Sequence, residues 1–212
     1  MSLTTGRGPL SGRPAGRFSS PVPAGLTYVE PFRRRVRGML GGCQVVDSER
    51  VVLVHRSGEP PAYAFPQEDV RVVATEPEPA LDGYVRVRWG DVGEWFEEGQ
   101  QVFMHPRNPY HRIDCLPTER RLTVRVGGVL VVDTTETVAV FETSLDPRLY
   151  VGRRHTRPDV LTPSPTTTYC PYKGAASYWN AVVGGQVVED VAWWRNQALL
   201  TAPIRAEPMA TW

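Results

Sequence analysis

The string Cys170-Pro171-Tyr172-Lys173-Gly174 gathers a thiol, a phenol and an ammonium within a few residues. A lysine close to a cysteine can lower the thiol pKa and make a nucleophile, and an ammonium also holds anionic or carbonyl oxygen as a point charge. Pro171 stiffens the turn, and Gly174 permits close backbone approach. The same string can equally be a cysteine packed before a proline with a lysine turned to solvent, because thiol reactivity needs an exposure that spacing does not show. Glu142 follows Phe141 at the end of an apolar run. A carboxylate in that setting can be raised in pKa and serve as acid or base, or it can pair with Lys173 or Arg148. Asp190 in VVEDVAWW is a second carboxylate, and a pair with Glu142 is what glycoside hydrolysis requires.

Aromatic side chains accompany these groups: Tyr150, Tyr172, Tyr178, Trp179, Trp193 and Trp194. Such rings suit a sugar or a flat heterocycle, although rings in a sheet are most often core. Strand alternation sends Tyr178 and Trp179 to opposite faces, so one of them at most lines a given pocket. The expected catalytic residues are therefore Glu142, Lys173 and Cys170. Arg148, Tyr150, Tyr172, Tyr178, Trp179 and Asp190 are expected ligand contacts. Two further histidines, His105 and His111, lie on a proline-broken loop with spacing too wide for a zinc motif. Arg107 and Arg112 beside them are expected to reach carboxylates on both halves of the chain.

The elements that must hold these residues are strands. Twenty Pro and 19 Gly punctuate short apolar runs. Strand-like stretches recur at 36–40, 44–46, 51–54, 84–89, 122–126, 129–132, 138–141, 179–183 and 186–188. Gly-Gly pairs at 41–42, 127–128 and 184–185 supply the positive φ of tight hairpins, which argues for antiparallel sheet. Helix signals are short, at 94–98 and 193–200. Sliding the chain by 86 residues lays Arg35, Gly41, Gly42, Val45, Val46, Asp47, Val52 and Val54 on identical residues from Arg121 to Val140. Ordinary composition gives about one or two such matches over that stretch, so duplication is the better account. With a further insertion of about four residues, Asp69-Val70 meets Asp159-Val160, Trp89 meets Trp179, and Ala80-Leu81-Asp82-Gly83 stands where Cys170–Lys173 does. The first copy lacks those polar side chains, and one site per chain is expected.

Composition narrows the function classes. Lys+Arg of 24 against Asp+Glu of 23 leaves a net charge of +1, which offers no field for gathering nucleic acid. Three cysteines at wide spacing, with no CxxC pair, argue against a zinc cage or a disulfide framework and suit a reducing cytoplasmic home. No apolar run is long enough for a membrane span or signal peptide. Walker, GxGxxG, GxSxG and HExxH strings are absent.

HPRNPYHRID (105–114), VFETSLDPRLYV (140–151), TTTYCPYKGAASYW (166–179) and VVEDVAWW (187–194) resemble the tandem form of the bacterial domain-of-unknown-function family 427. The resemblance runs over residues 30–200 and implies small domains of the β-tent type. It implies no agreed activity, although a glycosidase-like one has been suggested for the family. Other β-tent families carry a zinc knot of two Cys pairs, which this sequence lacks.

The expected architecture is all-β and mainly antiparallel: two duplicated β-tent-like units with few short helices. A flexible extension occupies 1–25, a degenerate unit 26–104, a connecting segment 105–117, a unit carrying the site 118–203, and a tail 204–212. The expected function is a small-molecule pocket, first as an enzyme on a small polar metabolite or glycoside. A non-catalytic ligand-binding module and a protein-interaction scaffold are the alternatives. The expected partner is a small-molecule ligand, with no cofactor, metal, nucleic acid or membrane.

Overall fold

The computed structural model describes residues 3–23, 25–195 and 209–211. The chain divides into two compact units, Met1–His111 and Arg112–Trp212. Every strand pairing among the described residues is antiparallel. The first unit contains β1 (Thr27–Pro31), β2 (Val36–Leu40), β3 (Cys43–Ser48), β4 (Val52–Arg56), β5 (Ala62–Pro66), β6 (Glu76–Pro77), β7 (Tyr84–Arg86), β8 (Glu94–Glu97) and β9 (Gln100–Val102). They form one sheet in the order β1-β4-β5-β7-β6 and another in the order β3-β2-β8-β9. Between them lies a core of Val36, Val46, Leu53, Phe65 and Trp95, in which the Trp95 ring stacks on Phe65 at 5.9 Å.

The second unit contains β10 (Ile113–Thr118), β11 (Leu122–Val126), β12 (Val129–Thr134), β13 (Thr137–Glu142), β14 (Arg148–Gly152), β15 (Leu161–Cys170), β16 (Gly174–Val183), β17 (Gln186–Arg195) and β18 (Met209–Thr211). Its large sheet runs β10-β13-β14-β18-β17-β16-β15, and β11-β12 is a separate ribbon. Val131 and Val132 of the ribbon bury against Val151 of the sheet. All three Gly-Gly pairs have φ between 54° and 83° at both residues, the geometry that two-residue hairpins demand.

The internal repeat is visible in the pairings. β2–β3 and β11–β12 match residue for residue at the 86-residue offset, including a register shift after Gly38 and after Val124. Arg35 grips Asp47 through two bonds of 2.7 Å, and Arg121 grips Asp133 through two more of 2.7 Å. Lone bridges join Val46 to Val70 and Val132 to Thr156, again 86 residues apart. Val70 therefore corresponds to Thr156 rather than to Val160, and the insertion falls later in the chain.

Beyond that point the units diverge. Trp89 lies in a 3-10 turn while Trp179 lies within β16, so these two tryptophans do not correspond. The helix expected at 94–98 is β8, which pairs with β2. The one expected at 193–200 begins inside β17, and residues 196–200 lie outside the described residues. Alternating side chains on a half-buried surface override the weak helical spacing there. Among the described residues, helical structure is limited to 3-10 turns at Gln67–Asp69, Trp89–Asp91 and Arg153–His155.

Segment 105–117 is only half connector, because β10 takes Ile113–Thr118 as an edge strand, the one place where Pro117 costs no ladder bond. The N-terminal segment is tied at its head. Thr4 is buried, its hydroxyl donates to the Glu59 carbonyl at 2.9 Å, and its own carbonyl accepts from the Gly58 N–H at 2.7 Å.

Burial predicts where truncation hurts. Phe65→Ala should cost about 3–5 kcal/mol in denaturant unfolding. Phe141→Ala, at a position 37% exposed, should cost about 1 kcal/mol or less.

Candidate functional site

β13 ends on Glu142, and the turn between β15 and β16 carries Lys173. Four strand spacings separate β13 from β16 in the sheet order, which in a flat sheet is about 19 Å. Lys173 Nζ nevertheless donates directly to Glu142 Oε2. The sheet therefore curls, bringing the Cys170–Gly174 turn back over the end of β13. Both side chains are 8% exposed, so the pair sits almost out of water.

Register decides which residues share its face. Val140 pairs with Cys115 and Arg148, Val138 with Tyr150, and Tyr178 with Trp193. Paired residues point the same way and alternate residues repeat it. Cys115, Glu142, Arg148, Tyr150, Tyr178 and Trp193 thus lie on one face. The Arg148 guanidinium stands 5.5 Å from the Trp193 ring, and the Tyr178 and Trp193 rings are 6.4 Å apart. Tyr178 OH and Thr168 Oγ1 share a hydrogen bond of 3.1 Å. By the same alternation, Thr168 and Cys170 join this face.

Trp179 does not. It lies on the opposite face, where Arg153 covers both Trp179 and Trp194 at 5.3 and 5.8 Å. Asp190 is also apart from Glu142. Its carboxylate accepts from Ser164 Oγ at 2.6 Å and Thr166 Oγ1 at 2.9 Å, and its N–H donates to Asn180 Oδ1. With φ of 51° in an exposed bulge, Asp190 ties β15 to β17. Its oxygens are thus engaged by Ser164 and Thr166 rather than open to a substrate. Tyr172 is half-buried in the turn beside Lys173.

Sequence spacing did not single out Cys115. Burial pushes its thiol up, and Asp114 and Glu142 add to this against the opposing field of Lys173. The thiol form is favoured, so Cys115 is a poor nucleophile as it stands. The signal was available only in register, through its pairing with Val140 two residues before Glu142.

The first unit, expected to be degenerate, holds polar clusters of its own. His55 is fully buried, with Nε2 2.8 Å from Glu30 Oε1, while Tyr110 OH donates to Glu30 Oε2 at 2.8 Å. Glu97 accepts from Tyr63 OH at 2.7 Å and from Arg34 at 2.5 Å, and burial together with that carboxylate pushes the Tyr63 hydroxyl pKa upward. The Arg107 N–H donates to Glu97 and its Nη1 to Gln100, and Arg112 Nε donates to Asp114. His105 Nδ1–H donates to the Pro106 carbonyl at 2.7 Å, and burial holds the ring below its ordinary pKa. Among the described residues no group of three or more His, Cys, Asp or Glu is placed to hold a metal ion. Two open clefts of about 550 and 940 Å³ are lined mainly by the N-terminal segment, away from every cluster above.

Residues 114–206 match the family model described as domain of unknown function DUF427. Curated proteins give no match. The DUF427 segment begins within β10 and takes in the whole face that carries Glu142 and Lys173. No helix among the described residues is long and apolar enough to cross a membrane.

Thiol reactivity tests the local electrostatics. At mildly alkaline pH an alkylating reagent should label exposed Cys43 first and Cys115 slowly, because burial and the neighbouring carboxylates keep the Cys115 thiol protonated. Mass spectrometry of the labelled peptides gives the order.

Proposed function

We propose that the DUF427 segment is a small-molecule-binding module of the β-tent type, and that the chain is a tandem of two such units with the ligand site in the second. The observation that carries this is the shared face. Arg148, Tyr150, Tyr178 and Trp193 lie together on the curled sheet beside the Glu142–Lys173 pair. Rings offer stacking area to a flat or ring-shaped body, while Arg148 and the Tyr178 hydroxyl offer directional hydrogen bonds. A small polar metabolite or glycoside fits that mixture. All three cysteines are free thiols, which suits a reducing, cytoplasmic setting.

A catalytic reading has one observation in its favour. Glu142 and Lys173 are hydrogen-bonded to each other, and the Cys115 thiol feels both charges from the same face of the sheet, with Cys170 on that face too. In that reading a ligand opens the ion pair, Lys173 holds its oxygen and Glu142 exchanges a proton.

A thermal-shift screen of sugars, small carboxylates and heterocycles tests both, since a ligand of the folded state raises apparent stability by mass action. Against the best hit, Arg148→Ala should lose about 1.5–3 kcal/mol of affinity, tenfold or more. Asp190→Ala should bind as the parent does. Unchanged affinity in Arg148→Ala would reject the site. If the hit is turned over, Glu142→Gln should stop turnover while leaving binding measurable.

A further inference from the structure

Each unit buries an ion pair on the equivalent strand end, with the sign of that end exchanged. β4 ends on Arg56, which pairs with Thr27 at the start of β1; β13 ends on Glu142, which pairs with Ile113 at the start of β10. In the first unit, Arg56 Nη2 meets Glu78 at 2.5 and 2.7 Å, and Glu78 belongs to the loop between β6 and β7. Its side chain is fully buried, with Arg86 Nε at 3.3 Å as a second partner. In the second unit, Glu142 meets Lys173, from the turn between β15 and β16. The strand end is cationic and the loop anionic in one unit; the reverse holds in the other.

We infer that this opposite polarity is a specificity device, which prevents the loop of one unit from docking on the strand end of the other, within a chain or between two chains. Duplicated units are exposed to that error, because each half presents a backbone its counterpart can pair with. Docking the Glu78 loop on Glu142 would press two carboxylates together out of water, and docking Lys173 on Arg56 would do the same with two cations. Buried like charges penalise the wrong pairing severely, whereas two pairs of one polarity would stabilise each unit equally well and discriminate nothing. Burial pushes the Glu78 carboxyl up, but the hydrogen bonds from Arg56 and the Ala80 N–H, with the fields of Arg56 and Arg86, bring it below its ordinary value. The loop anion is therefore charged at neutral pH.

The test is refolding of the full chain from denaturant at a fixed concentration, read by size-exclusion chromatography with light scattering. Glu142→Arg/Lys173→Glu gives the second unit the polarity of the first and retains a pair. It should raise the exchanged-dimer fraction about tenfold or more over the parent, the factor that removing a little over one decade of discrimination yields. Should that variant fail to regain native circular dichroism, Arg56→Glu/Glu78→Arg is read in its place with the same expectation. The fourfold variant carrying both exchanges restores opposite polarity and should refold as a monomer. Parent-like monomer yield from the folded two-residue variants overturns the inference, and so does persistence of dimer in the fourfold variant.

Discussion

The second unit depends on an ammonium and a carboxylate that have left water together. Lys173 and Glu142 are each 8% exposed, and a charge in that position is tolerable only while its partner is present. The contact spans the sheet from one side to the other, so it fixes curvature that backbone hydrogen bonds along β14, β18 and β17 would leave adjustable. It also fixes the Cys170–Gly174 turn above the face where Arg148, Tyr150, Tyr178 and Trp193 stand. Among the described residues of this unit, Val131, Val132 and Val151 form a buried apolar cluster. The first unit relies instead on an aromatic core built on Phe65, Trp95 and Tyr63, and its own buried pair, Arg56 with Glu78, supplements that core.

Much of this was legible in the sequence because strand chemistry is local. Gly-Gly pairs announce two-residue hairpins, and the offset that aligns Arg35 and Asp47 with Arg121 and Asp133 also aligns their ion pairs in space. Glu142 and Lys173 were legible as neighbours for a related reason, since the first copy carries Arg56 and Gly83 instead. Register was not legible. It puts Cys115 on the face of Glu142, and it removes Asp190 to a bulge where Ser164 and Thr166 occupy its oxygens. The buried role of Glu78 was equally hidden, because nothing in the spacing ties it to Arg56. The short helix expected at 94–98 failed because sheet pairing outweighed a weak local preference, and Trp193–Arg195 belong to a strand for the same reason.

The asymmetry between the units gives the functional reading its shape. Polar groups are not confined to the second unit, as His55, Glu30 and Tyr110 show. The second unit is distinct in placing an ion pair, a guanidinium on a tryptophan and two tyrosines on one face of a curled sheet. Under the proposed reading, that arrangement orients a small ligand before it favours any particular reaction. Cys115, whose thiol is held protonated, and Asp190, whose carboxylate is already engaged, are the two residues least ready for chemistry.

The most direct measurement is a double-mutant cycle on the pair, using Glu142→Gln, Lys173→Met and the double variant in equilibrium denaturant unfolding. A buried pair that holds the turn over the sheet predicts a coupling energy of about 2 kcal/mol or more, with each single variant much less stable than the double. A coupling of about 0.5 kcal/mol or less, the value of a solvated surface pair, would contradict it.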